Sequence, residues 1–246
     1  MDAAETSDAQ FEAILRDRAV YPVFQPVVSV ADERVVGFEA LARGPKGSPF
    51  ESAGALFNAA ERLGRSTDLD WLCAGVAGEH FMAADLRDCA PFVNLDPFTL
   101  RGAFRERLSE LFEDLMQKRE VVLELTERAV TQDPAALMEA VVHVRRLSGR
   151  VALDDVGTDP SSLAAMPLVK PDIIKIDRGV VQAHSSTWAV SHVVNAVLDE
   201  AGHSGAQILA EGIENEDHLE VADAGVCYER GRIVEVTLPL VRRLKR

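Results

Sequence analysis

A chain of 246 residues that is 47% apolar and 27% charged can bury a substantial core, and this balance excludes disorder as its dominant state. The formal net charge of −14 excludes generic DNA or RNA binding, which rests on Lys and Arg neutralising many phosphates; a small anionic ligand is still allowed if metal ions supply positive charge locally. Cys73, Cys89 and Cys227 form no CxxC pair, so they read as reduced core thiols, with no zinc knuckle or disulfide framework.

In chain order, residues 1–10 are acidic and polar, unlike a signal peptide, and are expected to form a disordered arm. No later apolar stretch reaches membrane-spanning length, so the chain is expected to be cytoplasmic with no membrane partner. Residues 11–246 are expected to form a single domain. A short helix over 11–18 leads into β-rich runs at 23–30 and 34–41. The Ala31-Asp32-Glu33 segment between them suits a turn, so the two runs should pair as a hairpin.

From there short apolar runs at 92–95, 121–125, 151–153, 173–176, 208–210 and 226–228 alternate with helical patterns. The helices fall at 66–82, 104–118, 134–148, 188–201 and 216–224. Strand and helix repeated this often, with short connections, predict parallel βαβ units. The absence of a linker favours a closed barrel, and no Gly-rich phosphate loop supports an open doubly wound sheet. The basic end, 242–246, reads as a solvated tail.

The informative feature is where polar residues sit on the apolar runs. Glu39, Asn94, Glu124, Asp154 with Asp155, Lys175 and Glu211 each fall near the C-terminal end of a predicted strand. One such acid is commonly a helix cap or a solvated edge. Several carboxylates converging at one barrel mouth would be costly to bury without cations, so the set implies bound metal at the face where barrel enzymes work. Oxygen donors with no His or Cys among them suit Mg²⁺ or Mn²⁺. The six histidines fall in helical or loop segments and read as surface or packing residues.

The adjacent Asp154 and Asp155 can bridge two ions, and two ions about 3.5 to 4 Å apart can grip a phosphodiester during in-line displacement. Lys175 can orient or deprotonate a water, or simply balance charge. On these residues alone, a different metal-dependent barrel enzyme, such as a lyase with Lys175 as base, stays open.

Phe24-Gln25-Pro26-Val27, Gly37-Phe38-Glu39-Ala40-Leu41-Ala42-Arg43, Val93-Asn94-Leu95, Glu124-Leu125-Thr126-Glu127, Asp154-Asp155-Val156-Gly157-Thr158, Lys175-Ile176-Asp177 and Ala210-Glu211-Gly212-Ile213-Glu214 resemble, in order, the motifs of EAL domains. The resemblance runs from about residue 21 to residue 240. It implies a TIM-like (β/α)8 barrel with an antiparallel first strand, and a bacterial signalling enzyme that hydrolyses cyclic di-GMP to linear pGpG with two Mg²⁺ or Mn²⁺ ions. By resemblance, Glu39, Asn94, Glu124 and Asp154 hold one ion, and Asp154, Asp155 and Glu211 surround the second. Lys175 then positions the attacking water, with Asp155 and Glu211 also in the catalytic set. Gln25, Leu41 and Arg43 match substrate-contacting positions, and Glu127 matches a residue that orders the loop after Asp155; alone, Glu127 also reads as a first-turn helix acid.

Two segments depart from the family pattern. The loop after Asp155 carries Val156 where Phe is usual and Asp159-Pro160 where Gly-Tyr is usual; Asp159 loses backbone freedom and Pro160 lacks an N–H. Arg230-Gly231-Arg232 stands where Gln-Gly-Tyr is common. These departures keep a second reading open, a catalytically inactive EAL module that binds cyclic di-GMP or a protein partner. With no room for a fused regulatory segment, regulation is expected through a homodimer or a regulatory protein partner.

Overall fold

The computed structural model describes residues 3–29, 34–84, 86, 88–96, 99, 115, 119–126, 133–158, 160–182, 188–213 and 233–236. The β-branched and aromatic runs flanking 30–33 form β1 (Tyr21–Ser29) and β2 (Arg34–Arg43), paired antiparallel with Gln25 opposite Glu39. The remaining strands are β3 (Ala90–Asn94), β4 (Val122–Thr126), β5 (Arg150–Val156), β6 (Ile173–Ile176), β7 (Gln207–Ile213) and β8 (Ile233–Val236). They pair in sequence order and close into a barrel, parallel from β2 to β8, with β1 antiparallel to both of its neighbours. The expected barrel and its reversed first strand are both present.

Helices outside the barrel are α1 (Ala3–Arg16), α2 (Ala53–Arg62), α3 (Ser66–Ala83), α4 (Pro134–Arg146), α5 (Pro160–Val169), α6 (Arg178–Gln182) and α7 (Trp188–Ser204). The expectation of a disordered arm over 1–10 is corrected from Ala3 onward. Phe11 and Ile14 dock in a cluster with Phe50, Leu56 and Leu69, and Asp8 pairs with Arg62 at 2.7 Å. Ala3, Ala4 and Glu5 are strong helix formers that extend this anchored helix backward.

α2, α5, α6 and β8 are additions to the sequence pattern. In α2 the buried face is Leu56, Ala59 and Ala60, two of them alanines, on a helix that runs only from Ala53 to Arg62. Its start is nonetheless chemically marked, since Ser52 Oγ accepts from the Ala55 N–H at 3.3 Å. In α5 the internal Pro167 disguises the helix. The predicted elements at 104–118, 216–224 and 226–228 fall outside the described residues, Leu115 apart.

Val27, Phe92, Val122, Ala152, Ile173 and Leu209 come from six strands yet form one buried cluster, which places them inside the barrel. Their sequence neighbours Val93, Leu123, Val151, Leu153, Ile174 and Ile208 point outward to the helix layer. Gly37 completes the plug by having no side chain. A Cβ there would lie 2.5 Å from Phe92 Cε2 and 2.7 Å from the Ala90 carbonyl oxygen, so the Phe92 ring occupies that space. Among the described residues, no helix is long and apolar enough to cross a membrane.

Candidate metal centre

The alternation of side chains along a strand builds the site directly on this plug. Two residues beyond Gly37, Phe92, Val122, Ala152, Ile173 and Leu209 stand Glu39, Asn94, Glu124, Asp154, Lys175 and Glu211. Residues i and i+2 share a face and are separated by about 6.6 Å along the strand, so these six groups form a polar layer immediately above an apolar one. All six belong to strands whose C-terminal ends meet at the same mouth. These are side chains that the strand-end pattern of the sequence singles out.

Lys175 is fully buried and central to the layer. Its Nζ lies 2.6 Å from Glu124 Oε1, 2.8 Å from Glu211 Oε1, 3.0 Å from Asp154 Oδ1 and 3.3 Å from Glu39 Oε2. Asn94 opens to solvent at the mouth, and its Nδ2 donates to Glu39 Oε1 at 3.0 Å and Glu124 Oε2 at 2.8 Å. In this arrangement Lys175 offsets part of the charge of four carboxylates.

One ammonium does not satisfy that many acids. Burial raises the Glu124 carboxyl well above its ordinary range, with Glu39 adding to the effect and Lys175 opposing it. Glu211 is likewise pushed up to about 8, by burial first, against the pull of Lys175. Glu124 Oε1 is buried, with the Lys175 ammonium 2.6 Å away.

The donor set fits hard divalent cations. Glu39, Glu124 and Asp154 each offer an oxygen within 4.8 Å of the others, and so do Asp154, Asp155 and Glu211. Asp154 belongs to both groups, so the two share an edge. Carboxylates and an amide are the ligands Mg²⁺ and Mn²⁺ take, and four carboxylates around one ammonium leave negative charge that a cation can offset.

The loops leaving the strands are held by specific contacts. Asp155 adopts φ 56°, a left-handed conformation uncommon for a residue with a side chain, and its N–H donates to Asp154 Oδ1 at 2.9 Å. Ser162 Oγ, fully buried, accepts from the Gly157 N–H at 2.9 Å. Pro160 is the first residue of α5, where a missing N–H costs nothing. After Glu211, Gly212 has φ 67° and no room for a Cβ against Arg178, while Gln182 Nε2 donates to its carbonyl at 2.7 Å.

Gln25 faces the same side as Glu39, by their direct pairing across β1 and β2. Leu41 and Arg43 continue that face beyond Glu39 toward the rim, opposite Val23 and Tyr21. Arg43 is half-buried, and its Nη1 donates to the Ala42 carbonyl at 2.8 Å. Beside this wall an apolar cavity of about 260 Å³ reaches Leu41 and Asn94, bounded by Phe57 and Val76 from the helices. Glu127, Asp159 and Arg230 lie outside the described residues. Ser162, Gln182 and Asp70 are polar supports that the strand-end pattern missed; Asp70 leaves one visible trace, a carboxylate within the apolar run Leu69–Gly78.

In comparisons with known proteins, residues 7–232 match the family described as EAL domain. The chain is similar to the probable cyclic di-GMP phosphodiesterases PdeB and PdeN of Escherichia coli, at 29% identity over 92% of this chain and 44% of PdeB, and 30% over 95% and 47% of PdeN. It thus spans about half the length of curated relatives it matches. The fold resembles that of Klebsiella pneumoniae BlrP1, solved as a calcium and cyclic di-GMP complex, with TM-score 0.77 and 23% identity over 89% of this chain and 55% of that one.

Proposed function

The chain belongs to the EAL-domain family, and from that premise we propose that it hydrolyses cyclic di-GMP to linear pGpG with two Mg²⁺ or Mn²⁺ ions. The observation that carries this reading is the polar layer itself: Glu39, Asn94, Glu124, Asp154, Lys175 and Glu211 assembled above an apolar plug, with Asp155 at its edge. Glu39, Asn94, Glu124 and Asp154 hold one ion, and Asp154, Asp155 and Glu211 hold the other. Bound there, the ions supply Lewis-acid charge to the phosphodiester and make water more acidic.

Lys175 orients the attacking water. Its ammonium also offsets negative charge that builds on the phosphoryl oxygens. The wall of Gln25, Leu41 and Arg43 receives the substrate, with the Arg43 guanidinium suited to a phosphate. Glu127 orders the loop after Asp155. The catalytic unit is a single domain that includes α1 (Ala3–Arg16), works in the cytoplasm, and is regulated through a homodimer or a protein partner.

The test is incubation of the purified protein with cyclic di-GMP and Mn²⁺ or Mg²⁺, following pGpG by chromatography, with Glu39→Ala alongside. Metal-dependent pGpG that disappears in Glu39→Ala is expected; no product from the unaltered chain would reject catalysis. The Arg230 departure from the family pattern favours a second reading, a module that binds the nucleotide without cleaving it. A binding titration on the same sample distinguishes the two.

A further inference from the structure

Asp70 stands out because it lies in the wrong surroundings for its charge. It is 6% exposed on α3, between the buried Leu69 and Trp71, on a helix whose inner face is otherwise apolar. A carboxylate buried there must recover its lost hydration through hydrogen bonds. Those bonds do not go to its own helix. Oδ2 accepts from the Asp96 N–H at 2.8 Å and from the Thr99 hydroxyl at 2.8 Å, both in the segment that follows β3.

β3 ends at Asn94, the amide that joins Glu39 to Glu124 in the polar layer. The next two backbone N–H groups are each held. Leu95 N–H donates to the Glu124 carbonyl of β4 at 3.3 Å, and Asp96 N–H donates to Asp70. The chain leaving Asn94 is therefore fixed on one side by the barrel wall and on the other by the helix layer. Thr99 N–H closes a turn onto the Asp96 carbonyl at 2.9 Å, so the Asp70 contacts grip the turn at both ends.

We propose that Asp70 is a positioning residue for the metal centre: by clamping Asp96 and Thr99 it fixes the exit of β3 and with it the direction in which Asn94 presents its amide. This rests on the reading of the polar layer as a metal site. An apolar residue at position 70 would suit the α3 packing and leave the Asp96 N–H to water, letting Asn94 drift out of register with Glu39 and Glu124. Supporting hydrogen bonds behind metal ligands are commonly worth about 10- to 100-fold in affinity.

The experiment measures Mn²⁺ affinity of the full chain by electron paramagnetic resonance of free Mn²⁺, together with the melting temperature in chelator. Asp70→Ala should weaken Mn²⁺ binding by ~10-fold or more, and Asp70→Asn, which keeps a carbonyl acceptor, should restore most of it. Val144→Ala, a buried change on α4, should lower the melting temperature and leave Mn²⁺ affinity untouched. Unchanged affinity in Asp70→Ala would overturn the proposal and leave Asp70 a purely structural group. Should Asp70→Ala fail to fold, Thr99→Val removes the hydroxyl alone; weaker Mn²⁺ binding is expected, and wild-type affinity would overturn the clamp. If the unaltered chain binds no Mn²⁺, the metal-site reading itself falls, an outcome distinct from a loss confined to the variants.

Discussion

Replacing Lys175 with Met probes the polar layer most directly, because it keeps the side chain's shape and deletes a cation that touches four of its acids. Lys175 Nζ is within 3.3 Å of oxygens on Glu39, Glu124, Asp154 and Glu211, and its side chain is 1% exposed. Removing one partner of a buried ion pair costs about 3–5 kcal/mol, since the other charge stays buried and uncompensated. For a chain of this size each kcal/mol moves the melting temperature by about 2–4 °C, so Lys175→Met in chelator should melt roughly 6–20 °C lower. The loss should be largest above pH 8. At pH 5 Glu211 and Glu124 already retain protons, and less negative charge is left unbalanced. Mn²⁺ should recover much of the deficit, because a divalent ion replaces the missing charge. Thermal scans at both pH values, with chelator and with Mn²⁺, provide the assay. A variant as stable as the unaltered chain in chelator above pH 8 would refute the view that Lys175 holds the acids together.

The other expectations concern protons and packing. Glu211 is pushed up to about 8 and Glu124 is raised, so the folded chain keeps protons that the unfolded chain releases. In chelator this contribution to stability is therefore fullest below about pH 4.5 and is lost as pH rises toward 8, with Mn²⁺ affinity climbing over the same window as ions displace those protons. Calorimetric scans of the unaltered chain and Glu211→Gln should show the slope flattened in the variant; an equal slope in both would contradict the assignment. Gly37→Ala should destabilise the barrel by about 1–3 kcal/mol in urea unfolding, since the new methyl meets Phe92 and the Ala90 carbonyl inside the plug.

The barrel was legible because its signal is redundant. Each of β3 through β7 left an apolar run with a polar residue near its end, and no single boundary had to be right for the rhythm to show. The polar layer was legible for the same reason, since Glu39, Asn94, Glu124, Asp154, Lys175 and Glu211 all obey one rule of position. What the rule could not show were contacts that depend on tertiary geometry. Ser162 supports the Asp155 loop by accepting from Gly157 N–H, and Gln182 supports Glu211 through the Gly212 carbonyl; both are ordinary polar residues until the helices dock. The first turns of α1 were read as a loose arm because their apolar contrast is low, and the burial of Phe11 and Ile14 fixes them instead. Pro160 is a further case. In sequence it breaks a familiar loop; in the fold it opens α5, where proline is favoured.

The plug and the polar layer also explain why a metal centre can be built here without a flexible loop supplying its ligands. Strand pairing fixes the backbone beneath Glu39, Asn94, Glu124 and Asp154, and the close-packed side chains two residues earlier prevent that backbone from relaxing downward when like charges repel. Burial first, and then the neighbouring acids, therefore keep the Glu124 and Glu211 carboxyl groups raised against the pull of Lys175. A rigid, charge-frustrated site binds a cation with little reorganisation, because its ligands are already assembled and its protons are the main thing to displace. Asp155, held at a left-handed φ beside Asp154, extends that rigidity to the edge of the layer, where it joins Asp154 and Glu211 in the second carboxylate group.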